Sequence, residues 1–314
     1  MKITLISLDN WGFNQHIADA MAEKGHTVQH INFNSFLYRY PSLRHKIHNF
    51  FLKAFLRKNL KHIYYGKEIL KRLEGFGRQD IIITMKGDFI ASESIADFKR
   101  HTDRSIAFFN DNIRRYPNIA NVIPLFDEVY SFEKEDCRNH NLKFKTNFIY
   151  RQEDGKKDTF EYQLFNISSK DKRTDTILQI AKKLREKNIS YKIIIFDKKD
   201  AIGKNEFVDT IRNPIDLKEV NRYIANSSAL LDIHRDRQEG LSFRVFESLG
   251  LHKKLITTNQ DIKNYDFYNP NNILIMDADN PTFDASFFET PYEEVPMPIL
   301  EKYTVDNWTA DFLN

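Results

Sequence analysis

One cysteine, Cys137, is all the thiol chemistry that 314 residues contain. An internal disulfide and a cysteine-built metal site are therefore excluded, which fits a reducing, cytoplasmic compartment with Cys137 as an inert thiol. Long apolar runs are missing as well. None approaches the roughly 18 residues of a membrane-spanning helix, and Met1-Lys2-Ile3-Thr4-Leu5-Ile6-Ser7-Leu8 is too short, and too soon interrupted by Asp9, to read as a signal peptide. A soluble or peripheral protein is expected. The first strand is not followed by a G-x-G-x-x-G, which argues against an ordinary NAD or FAD site, and no cofactor is expected. An Asp-x-Asp pair of the metal-binding kind is also lacking: Asn110-Asp111-Asn112 has one carboxylate, and Asp232-Ile233-His234-Arg235-Asp236 separates its two by three residues. No metal is expected. Neither sign of charge prevails, with Lys+Arg 47 against Asp+Glu 44 and a net of +3, so nothing global calls for nucleic acid as a partner.

What is present is a succession of short apolar runs alternating with amphipathic segments. The length suits about two domains at roughly 100–200 residues each, and 41% hydrophobic residues can fill two cores. Ile3 to Leu8 reads as a buried strand, Asp9 to Asn14 as a loop containing Gly12, and Ile17, Met21 and Lys24 fall at helical spacing before Gly25-His26. Thr27 to Phe33 completes a βαβ start of the kind that opens a Rossmann-like parallel sheet. Further strands are expected at Asp80–Met85, Ser105–Phe109, Glu128–Phe132 and Asn147–Tyr150. In an open parallel sheet, ligand contacts collect beyond the carboxyl ends of strands, which singles out Lys86, Asp111 and Ser131. The polar stretch Arg151–Thr159 reads as a linker. Beyond it come strands at Tyr162–Ile167 and Tyr191–Phe196, a helix marked by Ile177, Ile180, Ala181 and Leu184, and a helix opened by Asp216 and Glu219 as a capping box. Tyr303 to Leu313 reads as a last helix.

Residues 39 to 78 hold eleven Lys/Arg and two Glu, a net of +9 that leaves −6 for the rest. Aromatics, among them Tyr38, Tyr40, Phe50, Phe51, Phe55, Tyr64 and Tyr65, are interleaved with those charges. On helices this pattern makes a surface for anionic lipid or an anionic acceptor; a solvated face with an aromatic core side gives the same pattern. RNA would use the same residues, but no nucleic-acid motif accompanies them.

The densest chemistry lies in Glu239-Gly240-Leu241-Ser242-Phe243-Arg244-Val245-Phe246-Glu247, between the apolar runs Ala229–Ile233 and Lys253–Asn259. The local reading is strand, loop, helix, strand. Ser242 suits an N-cap, whose free backbone N–H groups can face a phosphate, and Arg244 in the first turn adds a planar donor fork. Glu247, an acceptor-only carboxylate a turn on, suits a ribose diol. A helix with two surface glutamates would show the same spacing.

Two glutamates separated by seven residues, with Gly-Leu after the first, resemble the donor-site motif of GT-B glycosyltransferases. The block from Leu231 to Asn272 is similar to bacterial proteins assigned to lipopolysaccharide-core and capsule biosynthesis. So is the succession of Lys86-Gly87, an acidic residue in a short polar triplet, and Phe126-Asp127-Glu128-Val129-Tyr130-Ser131-Phe132; the usual aromatic-Asp-Ser triplet is Asn110-Asp111-Asn112 here. The resemblance implies an α/β protein of two Rossmann-like domains with an interdomain cleft: an acceptor domain over 1–155, a nucleotide-sugar domain over 156–296, and a last helix over 297–314 packed back on the first. It implies Glu239 near the transferred sugar and Glu247 on the ribose. Arg173 and Lys172, in the first loop of the second domain, are expected at the donor diphosphate with Gly240, Ser242 and Arg244. Asp111 is the expected base toward the acceptor hydroxyl, with Lys86 and Gly12 on the acceptor side; a loop-capping aspartate is the other reading of Asp111. His234 is a further candidate near the donor, or a structural histidine. The implied partners are a nucleotide-sugar donor and a glycan or lipid-linked acceptor in surface polysaccharide synthesis. A nucleotide-sugar epimerase of the same fold, or a non-catalytic nucleotide-sugar binding protein, remain the alternatives.

Overall fold

The computed structural model describes residues 1–152 and 159–313. Most of the expected linker, residues 151–159, lies outside them. The chain forms two compact units, Met1–Thr146 with Val305–Asn314, and Asn147–Thr304. This division falls earlier than the boundary expected at 155. Residues 147–150 fold with the second unit: the Asn147 amide donates to the Leu241 carbonyl at 2.8 Å, Phe148 meets Phe243 edge-on, and Ile149 bridges in parallel with Thr304. The strand expected at Asn147–Tyr150 is therefore a single bridge and joins neither sheet.

The first unit holds β1 (Lys2–Ser7), β2 (Thr27–Asn32), β3 (Gln79–Met85), β4 (Thr102–Phe109), β5 (Glu128–Ser131) and β6 (Lys143–Phe144) in one parallel sheet ordered β2-β1-β3-β4-β5-β6. Its helices are α1 (Phe13–Glu23), α2 (Leu43–Leu56), α3 (Leu60–Phe76), α4 (Ser92–Asp97), α5 (Asn118–Val122) and α6 (Lys134–His140). Central strands are buried on both faces, which is why Ile81-Ile82-Ile83 is an unbroken apolar run and why Ile3, Leu5 and Ile6 are buried together with Thr4. The last helix, Val305–Leu313, belongs to this unit. Its Trp308 packs edge-on against Phe108 and donates its indole N–H to the Thr146 carbonyl at 2.6 Å, while the buried Lys145 ammonium reaches Asp311. Burial lowers the Lys145 pKa, and the Asp311 carboxylate opposes that.

The second unit holds β7 (Tyr162–Ser169), β8 (Tyr191–Phe196), β9 (Asp209–Ile211), β10 (Ser227–Asp232), β11 (Lys254–Thr257) and β12 (Ile273–Ile275), ordered β12-β11-β10-β7-β8-β9 and parallel throughout. Alternate residues feed two cores. Phe165, Ile194, Leu230 and Leu255 join Val220 and Ile224 of α8 (Leu217–Ala225) with Val245, Phe246 and Leu249 of α9 (Phe243–Gly250). Leu164, Ile195, Leu231 and Ile256 join Ile177, Ile180, Ala181 and Leu184 of α7 (Thr174–Glu186). This strand period of two puts helices on both faces of the sheet. A short helix, α10 (Met297–Leu300), leads to α11 (Val305–Leu313). Gly250 sits where a Cβ would lie 2.2 Å from the Arg151 carbonyl oxygen, so backbone approaches backbone there.

Candidate functional site

From β7 the chain builds the second sheet outward through β8 and β9, then returns to place β10, β11 and β12 on the other side. That is a Rossmann strand order, and its switch point lies between β7 and β10, the place where sheets of this order bind ligands beyond the carboxyl ends of the strands. Residues 170–173 form one wall and 233–242 the other.

Arg173 ties the walls together. Its Nε and Nη2 donate to the Asp171 carboxylate at 2.9 and 2.7 Å, and its Nη1 donates to the Ile233 carbonyl at 2.8 Å. Arg235 reaches the same Asp171 at 3.0 Å. Burial pushes the Asp171 carboxyl up, but the hydrogen bonds and charge of Arg173 and the charge of Arg235 hold it below its usual value. Two guanidiniums thus share one carboxylate, and Lys172 stands exposed beside them. The local balance is cationic.

On the opposite wall, buried Asp232 accepts from the Ser242 hydroxyl at 2.8 Å and from the Thr257 hydroxyl at 3.0 Å. Ser242 in turn accepts from the Arg244 N–H at 3.1 Å, so it is the N-cap of α9. The Asn259 amide holds the loop by donating to the carbonyls of Glu239 and Gly240, at 3.2 and 3.4 Å. Glu239 is half-buried on this wall and Gly240 is buried. His234 contacts the Thr258 hydroxyl through Nδ1 at 2.7 Å, and burial lowers its pKa against the opposing pull of Asp232 and Asp236.

Arg244 and Glu247 turn toward each other. Arg244 Nη1 lies 2.6 Å from Glu247 Oε2, and the Tyr150 hydroxyl donates to Glu247 Oε1. Arg244 also stands over the Phe165 ring, 5.8 Å from its centroid. The Arg244 and Glu247 side chains are 14% and 5% exposed, so this is an interior ion pair. Burial, and then the Glu247 charge, raise the Tyr150 pKa and keep the phenol a donor. Each Glu247 oxygen already carries one partner, a constraint on the expected ribose contact that the sequence did not reveal.

In the first unit the switch point lies between β1 and β3. Beyond β1, buried Asp9 accepts from the backbone N–H groups of Trp11, Gly12 and Asn14 at 3.1, 2.8 and 2.8 Å. An internal carboxylate therefore occupies the amide cradle at the start of α1. Gly12 adopts φ 83°, a left-handed conformation in which an L side chain is strained, with open space around it. Beyond β3, Lys86 Nζ lies 3.0 Å from Asp111 Oδ2, and Arg115 lies 2.8 Å from Asp111 Oδ1. Asp111 thus sits between two cations. Next to Lys86, buried Asp88 has its pKa raised to about 7 by burial, against the opposing pull of its backbone hydrogen bond and Lys86. Its proton affinity is the one matched to acid–base work near neutrality. The sequence pattern did not single out Asp88, although its place three residues after the end of β3 was the available signal. Among the described residues, no three His, Cys, Asp or Glu side chains gather as a metal-ligating group.

No family profile and no curated protein matches the sequence. Solved structures do match by shape. A UDP-forming α,α-trehalose-phosphate synthase from Burkholderia xenovorans superposes with a TM-score of 0.57 at 11% identity, over 99% of this chain and 98% of that one. S. aureus MnaA with UDP gives 0.56 at 10% identity, over 100% and 95%. The glycotransferase of kitacinnamycin gives 0.51 at 10% identity, over 99% and 98%. UDP-GlcNAc 2-epimerases are also among the structures that superpose on the chain. With its two six-stranded parallel sheets and interleaved helices, the chain has the two-Rossmann-domain GT-B fold of these structures.

Proposed function

We propose that this protein is a glycosyltransferase that moves a sugar from a nucleoside-diphosphate donor to a glycan or lipid-linked acceptor in bacterial surface polysaccharide synthesis, lipopolysaccharide or capsule. The observation that carries the reading is the cationic cluster at the switch point of the second sheet, where Arg173 and Arg235 share Asp171 with Lys172 exposed beside them, Arg173 also holds the Ile233 carbonyl, and Ser242 at the far end of the 233–242 loop caps α9. Fixed cations and helix-end amides are what a leaving diphosphate requires, and in this reading they act without a metal. Glu239 and Gly240 border the transferred sugar, Ser242 orients the helix end, and the interior Arg244–Glu247 pair holds α9 in place behind the donor. As the acceptor oxygen bonds to the sugar, the bond to the diphosphate breaks with its electron pair, and the acceptor proton passes to a carboxylate. Asp111, with Asp88 beside Lys86, supplies that acceptor side, and Gly12 keeps its loop open. Likeness in fold to proteins named for UDP and for glycosyl transfer supports a nucleotide-sugar donor.

Among the described residues no helix is long and apolar enough to cross a membrane. The reading puts the enzyme in the cytoplasm, peripheral on the inner face, with residues 39–78 toward anionic lipid. The test is release of free nucleoside diphosphate from a panel of UDP- and dTDP-sugars, with and without an added glycan acceptor and with and without chelator. Release that depends on acceptor supports transfer; sugar inversion with no acceptor replaces it with epimerisation; activity lost on chelation and restored by a divalent ion removes the metal-free part.

A further inference from the structure

Helix α2 wears its hydrophobic side outward. Of its 14 residues only Asn49 is buried. That polar side chain fastens the helix to its neighbours, donating to the Tyr40 hydroxyl at 2.6 Å and accepting from the Leu60 N–H at 2.8 Å. At about 100° per residue, the side away from Asn49 is the one bearing Leu43, Ile47 and Phe51. The apolar residues there are bare: Leu43 is 72% exposed, Phe50 66% and Phe55 76%, with Phe51 and Phe55 stacked on each other. A helix at a water-facing surface has the reverse arrangement, apolar side in. Exposed apolar surface this continuous marks an interaction site.

Charge identifies the occupant. Arg44, Lys46 and Lys53 punctuate the same helix, Arg57 caps its end, and the sequence has no Asp or Glu between Glu23 and Glu68. Lys58, just beyond, pairs with Glu93 at 2.6 Å. A second copy of this chain would bring the same cations face to face, and like charges disfavour that contact. A bilayer with anionic headgroups accepts both features, apolar side chains at the acyl boundary and cations at the phosphates. The C-terminal end of α2 also opens on a cavity of about 260 Å³, lined by Leu56, Arg57, Asn59, His62, Ile90 and Asn118. Asn118 donates to the backbone carbonyl of Asp88, so this cavity adjoins the loop that carries Lys86 and Asp88.

We propose that α2 is an in-plane membrane helix that seats the first unit on an anionic bilayer, and that the acceptor is a lipid-linked molecule taken up there through the cavity at the end of α2. The second half rests on the glycosyl-transfer reading; the first does not. The test is co-sedimentation of the full chain with phosphatidylcholine vesicles containing a quarter phosphatidylglycerol, against phosphatidylcholine alone. Two triple variants accompany it, Phe50→Ser/Phe51→Ser/Phe55→Ser and Arg44→Gln/Lys46→Gln/Lys53→Gln. All six side chains are on the exposed helix, so both variants keep the wild-type melting temperature and affinity for UDP. Wild type should bind the anionic vesicles at least about tenfold more tightly than the neutral ones, as expected for several basic residues at the surface. Each variant should lose most of that binding, and raised salt should weaken it. Equal binding to both vesicle types, or unchanged binding by either variant, overturns the proposal. So does a wild-type dimer that the Phe variant abolishes while vesicles stay unbound, because the face would then belong to a second copy. A wild type that binds neither vesicle type but keeps acceptor-dependent turnover would leave sugar transfer standing and remove only the membrane.

Discussion

Arg244→Met isolates the interior pair of the second unit. Glu247 would remain 5% exposed with only the Tyr150 hydroxyl on its carboxylate. At an effective dielectric of about 20 and a charge separation of about 4 Å, the lost attraction is roughly 4 kcal/mol, and breaking a buried pair by removing one partner typically costs about 3–5 kcal/mol. The urea midpoint should therefore fall by that amount divided by an unchanged slope. Arg244→Met/Glu247→Leu should recover most of the loss, since an apolar pair of similar volume removes both charges from the interior. The decisive comparison is UDP affinity by titration calorimetry in the double variant. If Arg244 acts by organising α9 over Phe165, affinity in the folded double variant stays within about threefold of wild type, under 1 kcal/mol. A single-variant loss below about 1 kcal/mol, or a double variant of native stability whose UDP affinity has collapsed, would refute this and return the guanidinium to the diphosphate.

Asp88→Asn should stabilise the protein at high pH. With a folded pKa of about 7 against an unfolded value near 4, the native state binds more protons between those limits, so wild-type stability declines as pH rises from about 4 to 7. The variant should melt higher than wild type at pH 8 and similarly at pH 4; an equal offset at both would deny the titration. Trp308→Ala removes a side chain 2% exposed together with its hydrogen bond to Thr146, and should cost about 3–5 kcal/mol in the denaturation of the first unit, with a loss under 1 kcal/mol showing that α11 does not dock there. Gly250→Ala should prevent soluble expression or lower the melting temperature sharply, because the new methyl meets the Arg151 carbonyl at 2.2 Å and backbone must move; a wild-type melting curve would contradict that close approach.

Most strands were legible because a parallel sheet buried on both faces needs runs such as Ile81-Ile82-Ile83 and Ala229-Leu230-Leu231, and the Ser242 cap was legible because serine before an amphipathic segment leaves few other uses for its hydroxyl. The edge strands β6, β9 and β12 escaped. They span only two or three residues, too few for a period to show. The expected capping box at Asp216 is half present: its carboxylate accepts from the Lys218 N–H, while Glu219 turns outward to Arg222 and Tyr223.

The sequence alone determined where charge and apolar residues fall along the chain: the acid-free stretch around α2, the alternation that makes two Rossmann-like halves, and Arg173, Glu239 and Arg244 near strand ends. Only the tertiary structure decided what those residues face. The Tyr150 hydroxyl finds Glu247 across 97 positions, Arg173 spends its fork on Asp171 and the Ile233 carbonyl, Asp9 fills the amide cradle at Gly12, and Asp88 is driven toward neutrality by burial. The physical reason is that periodicity reports which side of an element is buried, a property of neighbours three or four residues apart. Partners and proton affinities depend on desolvation and on charges brought within a few ångströms by strands far apart in the chain.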